Sequence, residues 1–226
     1  DSVASRGLGD VYKRQGQIGS RHLQAFAKVE FPVLLTVVDP SEQSLSTAKI
    51  HFQELPENIN VKQVSFCSSL DQISHSIDIA IVATTSEIRQ ETVTRLLKQV
   101  SVDYIILEKI VFQSIEAFSL IQKRLKECGV KAWVNCSRRM YPIYRELRSL
   151  FQDNERLYFH FAGGDFGMGS NSIHLLDLYS YLTDQFEWCL DGEGLDHQIM
   201  PSKRKGFFEF TGLLKGKARN GSEFSI

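Results

Sequence analysis

A chain of 226 residues, 42% hydrophobic and 23% charged, carries enough apolar material for one large domain or two modest ones. Its formal net charge of -1 gives no electrostatic reason to expect nucleic acid or an anionic membrane as a partner. No apolar run reaches the roughly 18 residues of a membrane span, and a cytoplasmic location is expected. Cys67, Cys128, Cys136 and Cys189 stand far apart with no C-x-x-C pair, so reduced thiols are expected rather than a disulfide framework or a zinc site. The short basic cluster Lys203, Arg204, Lys205 reads as a solvated loop.

A dinucleotide fingerprint, G-x-G-x-x-G, requires a hydrophobic strand ahead of its first glycine. Residues 1–15, DSVASRGLGDVYKRQ, do not promise one, because Tyr12, Lys13, Arg14 and Gln15 make a poor central strand. The stretch resembles translated adapter sequence and is read as a non-native segment, with the first strand replaced or missing. Gly16 and Gly19 then stand where the second and third glycines belong, with Arg14 in place of the first. Glycine at 16 lets the backbone approach a pyrophosphate, and glycine at 19 lets the helix pack closely on its strand. With Gln17 and Ile18 between them, the turn offers the positive end of a helix to the phosphates.

PVLLTVVD (32–39) is a continuous β-branched run of the kind buried on both faces of a parallel sheet. It ends in Asp39, 20 residues after Gly19, where the fingerprint asks for a carboxylate on the adenosine ribose. A cap on the turn through Pro40 and Ser41 is the competing reading of that aspartate. DIAIVATT (78–85) and DYIILEKIVF (103–112) repeat the strand pattern. Between them, Ser86 is the expected N-cap of a helix whose Ile88, Val93, Leu96, Leu97 and Val100 lie mostly along one stripe. A further helix is expected from Ser114 to a stop at Gly129, and VKAWVNC follows as a sixth strand. This alternation predicts an α/β fold over residues 16–135, a Rossmann-type doubly wound parallel sheet that binds a dinucleotide.

After about residue 150 the pattern changes. ERLYFHFAGG alternates at Leu157, Phe159 and Phe161, a helix is expected around 171–184, and two strand-like runs in GFFEFTGLLKGKARNGSEFSI meet near Asn220-Gly221. Residues 136–226 are therefore expected to begin an α+β domain with an open, mostly antiparallel sheet, truncated at Ile226, for substrate binding and oligomerisation.

With these residues in place, the chain resembles the glucose-fructose oxidoreductase / inositol dehydrogenase (Gfo/Idh/MocA) family of NAD(P)-dependent sugar and polyol oxidoreductases. GQIGSRHLQAF is similar to the family's nucleotide turn, including the Arg21-His22 pair, and IVATTSE to its fourth strand and nicotinamide-side loop. ILEKIVF is similar to its Glu-Lys-Pro segment, NCSRRMYPIYREL to the stretch entering its second domain, and NSIHLLDLYSYL to its His-x-x-Asp helix. The five matches come in the family's order over roughly residues 16–185.

Oxidising a secondary alcohol requires a hydride acceptor, a base for the hydroxyl proton, and positive charge near the developing alkoxide. Lys109 lies at the carboxyl end of an expected parallel strand, where open α/β sheets place ligand-binding groups. His174 shares an expected helix face with Asp177, and its ordinary pKa near 6.5 suits a general base. The resemblance implies that Lys109 polarises the substrate oxygen, that His174 is base or acid, and that Asp177 orients it or binds substrate. It implies Thr84, Thr85 and Glu108 on the nicotinamide side, and Asn135, Arg138 and Asn171 as polyol contacts. It also implies a sugar, nucleotide-sugar or polyol substrate and a homo-oligomer for the full-length protein. Asp39 favours NAD over NADP. Two departures stand out. The family's proline after Glu-Lys is Ile110, so a cis bond there is unexpected at a cost of about 2.5–4 kcal/mol. The family's aspartate four residues before the histidine is Ser170, which leaves a carboxylate partner for His174 in doubt.

His51, His75, His160 and His197 form no ligand cluster, so no metal is expected. The competing reading is a non-catalytic dinucleotide-binding protein of the same fold. An S-adenosylmethionine methyltransferase can share the glycine turn and strand-end acid, but gives no reason for LEK and HLLD at their places.

Overall fold

The computed structural model describes residues 3–8, 16–151, 155–202 and 206–226. The basic cluster at 203–205 and the Arg14 position lie outside the described residues. The chain divides into two units, Asp1–Asn135 and Cys136–Ile226.

The first unit runs β1 (Val3–Leu8), α1 (Gly16–Ala25), β2 (Val33–Val38), α2 (Glu42–Gln53), β3 (Val61–Cys67), β4 (Ile77–Val82), α3 (Ser86–Gln99), β5 (Val102–Leu107), α4 (Ile115–Glu127) and β6 (Lys131–Val134). Its six strands are all parallel, in the order β3-β2-β1-β4-β5-β6. Each apolar run became a strand because both faces are covered, as a parallel sheet demands. On one side Val82, Ile105 and Leu107 pack with Val93 and Leu96 of α3 and Ala117 and Ile121 of α4. Leu23 of α1, Val33, Leu35 and Val37 of β2, and Ala48 of α2 form another cluster. Serines start two of the helices: Ser41 Oγ accepts from Ser44 N at 3.3 Å, and Ser114 Oγ from Ala117 N at 3.2 Å. Gly129, at φ +69°, closes α4 in the left-handed region that a side chain would resist.

Three expectations are corrected here. A first strand is present: Val3–Leu8 lies between β2 and β4, with Val3 opposite Val33 and Leu8 opposite Val38 and Val82. It does not adjoin Gly16, because residues 9–15 intervene. The backbone ladder on both sides then sets the strand's position. The N-cap of α3 is Thr85 rather than Ser86, and its side chain makes no capping bond. The Lys109–Ile110 peptide bond is cis although residue 110 is not proline. The isoleucine alone argued for trans, and it took no account of the buried guanidinium of Arg89, which donates to the carbonyl oxygens of Glu108, Ile110 and Val111 around that bond.

The second unit contains α5 (Pro142–Leu150), β7 (Tyr158–His160), α6 (Met168–Thr183), β8 (Trp188–Leu195), β9 (Met200–Pro201), β10 (Phe208–Glu209), β11 (Gly212–Ala218) and β12 (Glu223–Ser225). β9 and β10 form a two-stranded antiparallel pair. The other four strands form a sheet in the order β7-β12-β11-β8, antiparallel except where β12 pairs with β7. The turn from β11 to β12 passes through Gly221 at φ +87°, and Ala218 N donates to Ser222 O at 2.8 Å. α6 buries Leu175 and Tyr179 against Ala218, Phe224 and Ile226. The Tyr179 hydroxyl donates to Ser222 O at 2.8 Å, so the one polar atom of that buried ring is satisfied.

Candidate functional site

In the first unit, the sheet order reverses between β1 and β4, and ligands of such sheets bind beyond the carboxyl ends of the strands there. Gly16, Gln17, Ile18 and Gly19 form the first turn of α1. Asp39 directly follows β2 and is 2% exposed; its Oδ1 accepts from Ser41 N at 2.8 Å. The turn-capping contact is therefore real, and it engages one carboxylate oxygen without excluding a second role for the other.

Thr84 and Thr85 follow β4, with Thr85 at the N-cap of α3. Both are buried, and neither hydroxyl has a hydrogen-bond partner among the described residues. A buried hydroxyl without a partner costs about 1–3 kcal/mol, which a polar ligand at this loop would recover.

Glu108 follows β5 and Asn135 follows β6. Asn135 Nδ2 donates to Glu108 Oε1 at 2.6 Å, and His22 Nε2 of α1 lies 2.7 Å from the same oxygen. Because an ionised carboxylate only accepts, His22 Nε2 carries the hydrogen. Burial raises the proton affinity of Glu108, but the bonds from His22 and Asn135, aided by the charges of His22 and Arg89, outweigh it and hold the carboxyl below 4.5. A depressed carboxyl contributes stability that is complete above its unfolded value and is lost as pH falls through the lower folded value. Glu108→Gln should therefore cost about 1–3 kcal/mol at pH 7 and flatten the loss of stability below pH 4.5. Denaturant unfolding at several pH values checks this, and an acid limb as steep as wild type would refute it.

Lys109 comes next, half-buried at the carboxyl end of the sheet. Behind it lies a residue the sequence reading passed over. Arg89 of α3 is 2% exposed and donates through Nη1 to the carbonyls of Glu108 (2.6 Å), Val111 (2.9 Å) and Ile110, and through Nη2 to Thr84 O. One signal could have revealed it: Arg89 shares the buried stripe of Val93 and Leu96, a register where a charged residue needs several partners.

In the second unit, α6 carries Asn171, His174 and Asp177. His174 is half-buried. Both oxygens of Asp177 are gripped by Arg139, with Nε to Oδ2 at 3.0 Å and Nη2 to Oδ1, and this bond raises the already high pKa of the guanidinium. Arg139 also lies over the Tyr181 ring, 5.6 Å from its centroid. Asn171 Nδ2 donates to Phe166 O, which ties it to the loop ahead of α6. A carboxylate does reach the place where Ser170 lacks one: Glu209 of β10 accepts from Ser170 N at 3.2 Å. That placement favours α6 through its positive end, and no local spacing could have announced it. Arg138 stands in the short turn Ser137–Met140, half-buried.

A doubly wound sheet in the order 3-2-1-4-5-6, with polar residues at the carboxyl ends of β2, β4, β5 and β6, defines a dinucleotide-binding Rossmann protein. Residues 15–136 match the Gfo/Idh/MocA oxidoreductase family, NAD-binding Rossmann fold, and the chain belongs to that family. No curated protein matches the chain. Among solved structures it is similar to an oxidoreductase from Agrobacterium radiobacter in complex with NAD+, L-tartaric acid and magnesium. That match has 13% identity and a TM-score of 0.71, covering 99% of this chain and 65% of the other. Myo-inositol dehydrogenase from Lactobacillus casei, in complex with NAD(H) and myo-inositol, is 17% identical at a TM-score of 0.68, covering 99% and 66%. The transcriptional regulator Gal80p from Kluyveromyces lactis is 14% identical at a TM-score of 0.65, covering 99% and 64%. The chain thus spans slightly less than two thirds of the length of these proteins.

Proposed function

We propose that the full-length protein transfers a hydride between NAD and a secondary alcohol of a sugar, nucleotide-sugar or polyol. The observation that carries this reading is the set Asp39, Thr84, Thr85, Glu108 and Lys109, each in the first three residues after a strand at the carboxyl edge of the sheet. The buried, unsatisfied hydroxyls of Thr84 and Thr85 suit a polar ligand, so the residues fit a dinucleotide. Gly16 and Gly19 would admit the pyrophosphate, Asp39 would take the ribose hydroxyls, and Thr84 and Thr85 would face the nicotinamide side. When bound, the nicotinamide supplies the hydride acceptor.

The chain's own groups do the rest. The Lys109 ammonium would stabilise the negative charge growing on the substrate oxygen, and His174 would take the hydroxyl proton. Asp177, held by Arg139, would position the helix face that carries His174. Asn135, Arg138 and Asn171 would meet further substrate hydroxyls. The test is turnover by the full-length protein: NAD offered with inositols, hexoses and nucleotide sugars, read by the absorbance of reduced nicotinamide. Reduction with at least one alcohol is expected, and cofactor binding without any turnover across the panel would overturn the enzymatic reading.

That second outcome has its own support. Asp177 spends both oxygens on Arg139, and one protein of similar fold is a transcriptional regulator. A non-catalytic dinucleotide-binding protein would retain Asp39 and the glycines and would bind NAD without consuming it.

A further inference from the structure

We infer that Arg89 is a positioning residue that locks the loop after β4 to the loop after β5, so that Thr84 and Lys109 are presented as one rigid piece. The inference deepens the proposed function, because it rests on Lys109 being the group that meets the substrate oxygen.

A single guanidinium joins the two loops. Nη2 of Arg89 holds the carbonyl of Thr84, while Nη1 holds those of Glu108, Ile110 and Val111, the residues on both sides of Lys109. The side chain starts on α3, whose stripe of Val93 and Leu96 is buried in the core, so the clasp is anchored to the packed core of the unit. Arginine suits the task for a specific reason. Its planar fork presents five donors in fixed directions, whereas a lysine offers a point charge that cannot span carbonyls from two loops. Ile110 itself does little to brace the loop, because it lacks the ring with which proline fixes a backbone dihedral, and its side chain is 45% exposed.

Charge supports the same assignment. The carbonyl oxygens of four residues meet the buried cation, and the carboxylate of Glu108 also feels its charge. Glu108 is in turn bonded to His22 of α1 and to Asn135. The residue before Lys109 is thus fixed at its carbonyl by Arg89 and at its carboxylate by α1 and the segment after β6. Lys109 has little freedom left in its backbone, which is what a group placed against a developing charge requires.

Hydrogen exchange of the chain without cofactor, for wild type, Arg89→Lys and Arg89→Met, tests the clasp independently of any activity. Exchange across residues 108–113 should rise about tenfold or more in both variants, while β4 and α4 keep their protection. If Arg89→Met fails to fold, Arg89→Lys decides. Uniform acceleration across the unit would make Arg89 merely a stabilising residue, and unchanged exchange would remove the clasp altogether; either result overturns the inference. In the full-length enzyme, Arg89→Lys should lower kcat about tenfold with substrate KM and thermal midpoint nearly unchanged. Local loosening with an unchanged kcat overturns the positioning role. If wild type shows no turnover on any alcohol, the catalytic reading of Lys109 fails, and the exchange pattern alone then upholds or refutes the clasp.

Discussion

Alanine in place of Lys109 or of His174 should lower kcat of the full-length enzyme by about 10²–10⁴ and leave NAD affinity nearly unchanged. Asp177→Asn should cost less than either, since its oxygens engage Arg139 and its influence reaches His174 through the shared helix. Steady-state kinetics on the three variants, with cofactor titrated by fluorescence, checks the set. Full activity in Lys109→Ala would end the assignment.

The second large effect concerns the cofactor. Asp39 is almost wholly buried at the end of β2, with one oxygen already accepting from Ser41 N. A 2′-phosphate would bring a dianion to a carboxylate that cannot swing away without giving up that bond. Close like charges in such a site typically cost a few kcal/mol, so NAD should bind about a hundredfold more tightly than NADP. Asp39→Ala should erase most of that preference, at the cost of the capped turn. Equal binding of both cofactors by the unaltered protein would refute the assignment.

The parts of the fold that could be read in the sequence are those whose cause is local. Val33–Val38, Ile77–Val82 and Val102–Leu107 announce themselves because a strand buried on both faces leaves no room for alternation. The Asn220-Gly221 turn is equally local. β1 was not legible, because its place depends on the ladders to β2 and β4 rather than on an apolar run beside Gly16. The same division runs through the site. Asp39 is a strand-end residue reached by counting from Gly19, whereas Thr84 and Glu108 are named only through the family resemblance. The bonds from Arg89 to the loop after β5, the bond from His22 to Glu108 and the approach of Glu209 to Ser170 link residues 19 to 86 positions apart, and no spacing rule reaches them.

α6 has a consequence for the order in which the molecule assembles. Its N-terminus meets Glu209 and its Tyr179 bonds Ser222, at sequence separations of 39 and 43 residues. Leu175 and Tyr179 share their core cluster with Ala218, Phe224 and Ile226, which lie 39 or more residues further along the chain. Closing such loops costs entropy before any contact repays it, so this helix belongs among the late events of folding. On the ribosome, residues 1–135 can condense while the segment bearing His174 still lacks its core. Until Phe224 emerges, Leu175 and Tyr179 lack part of the apolar cover they have in the folded unit, a surface of the kind that chaperones bind.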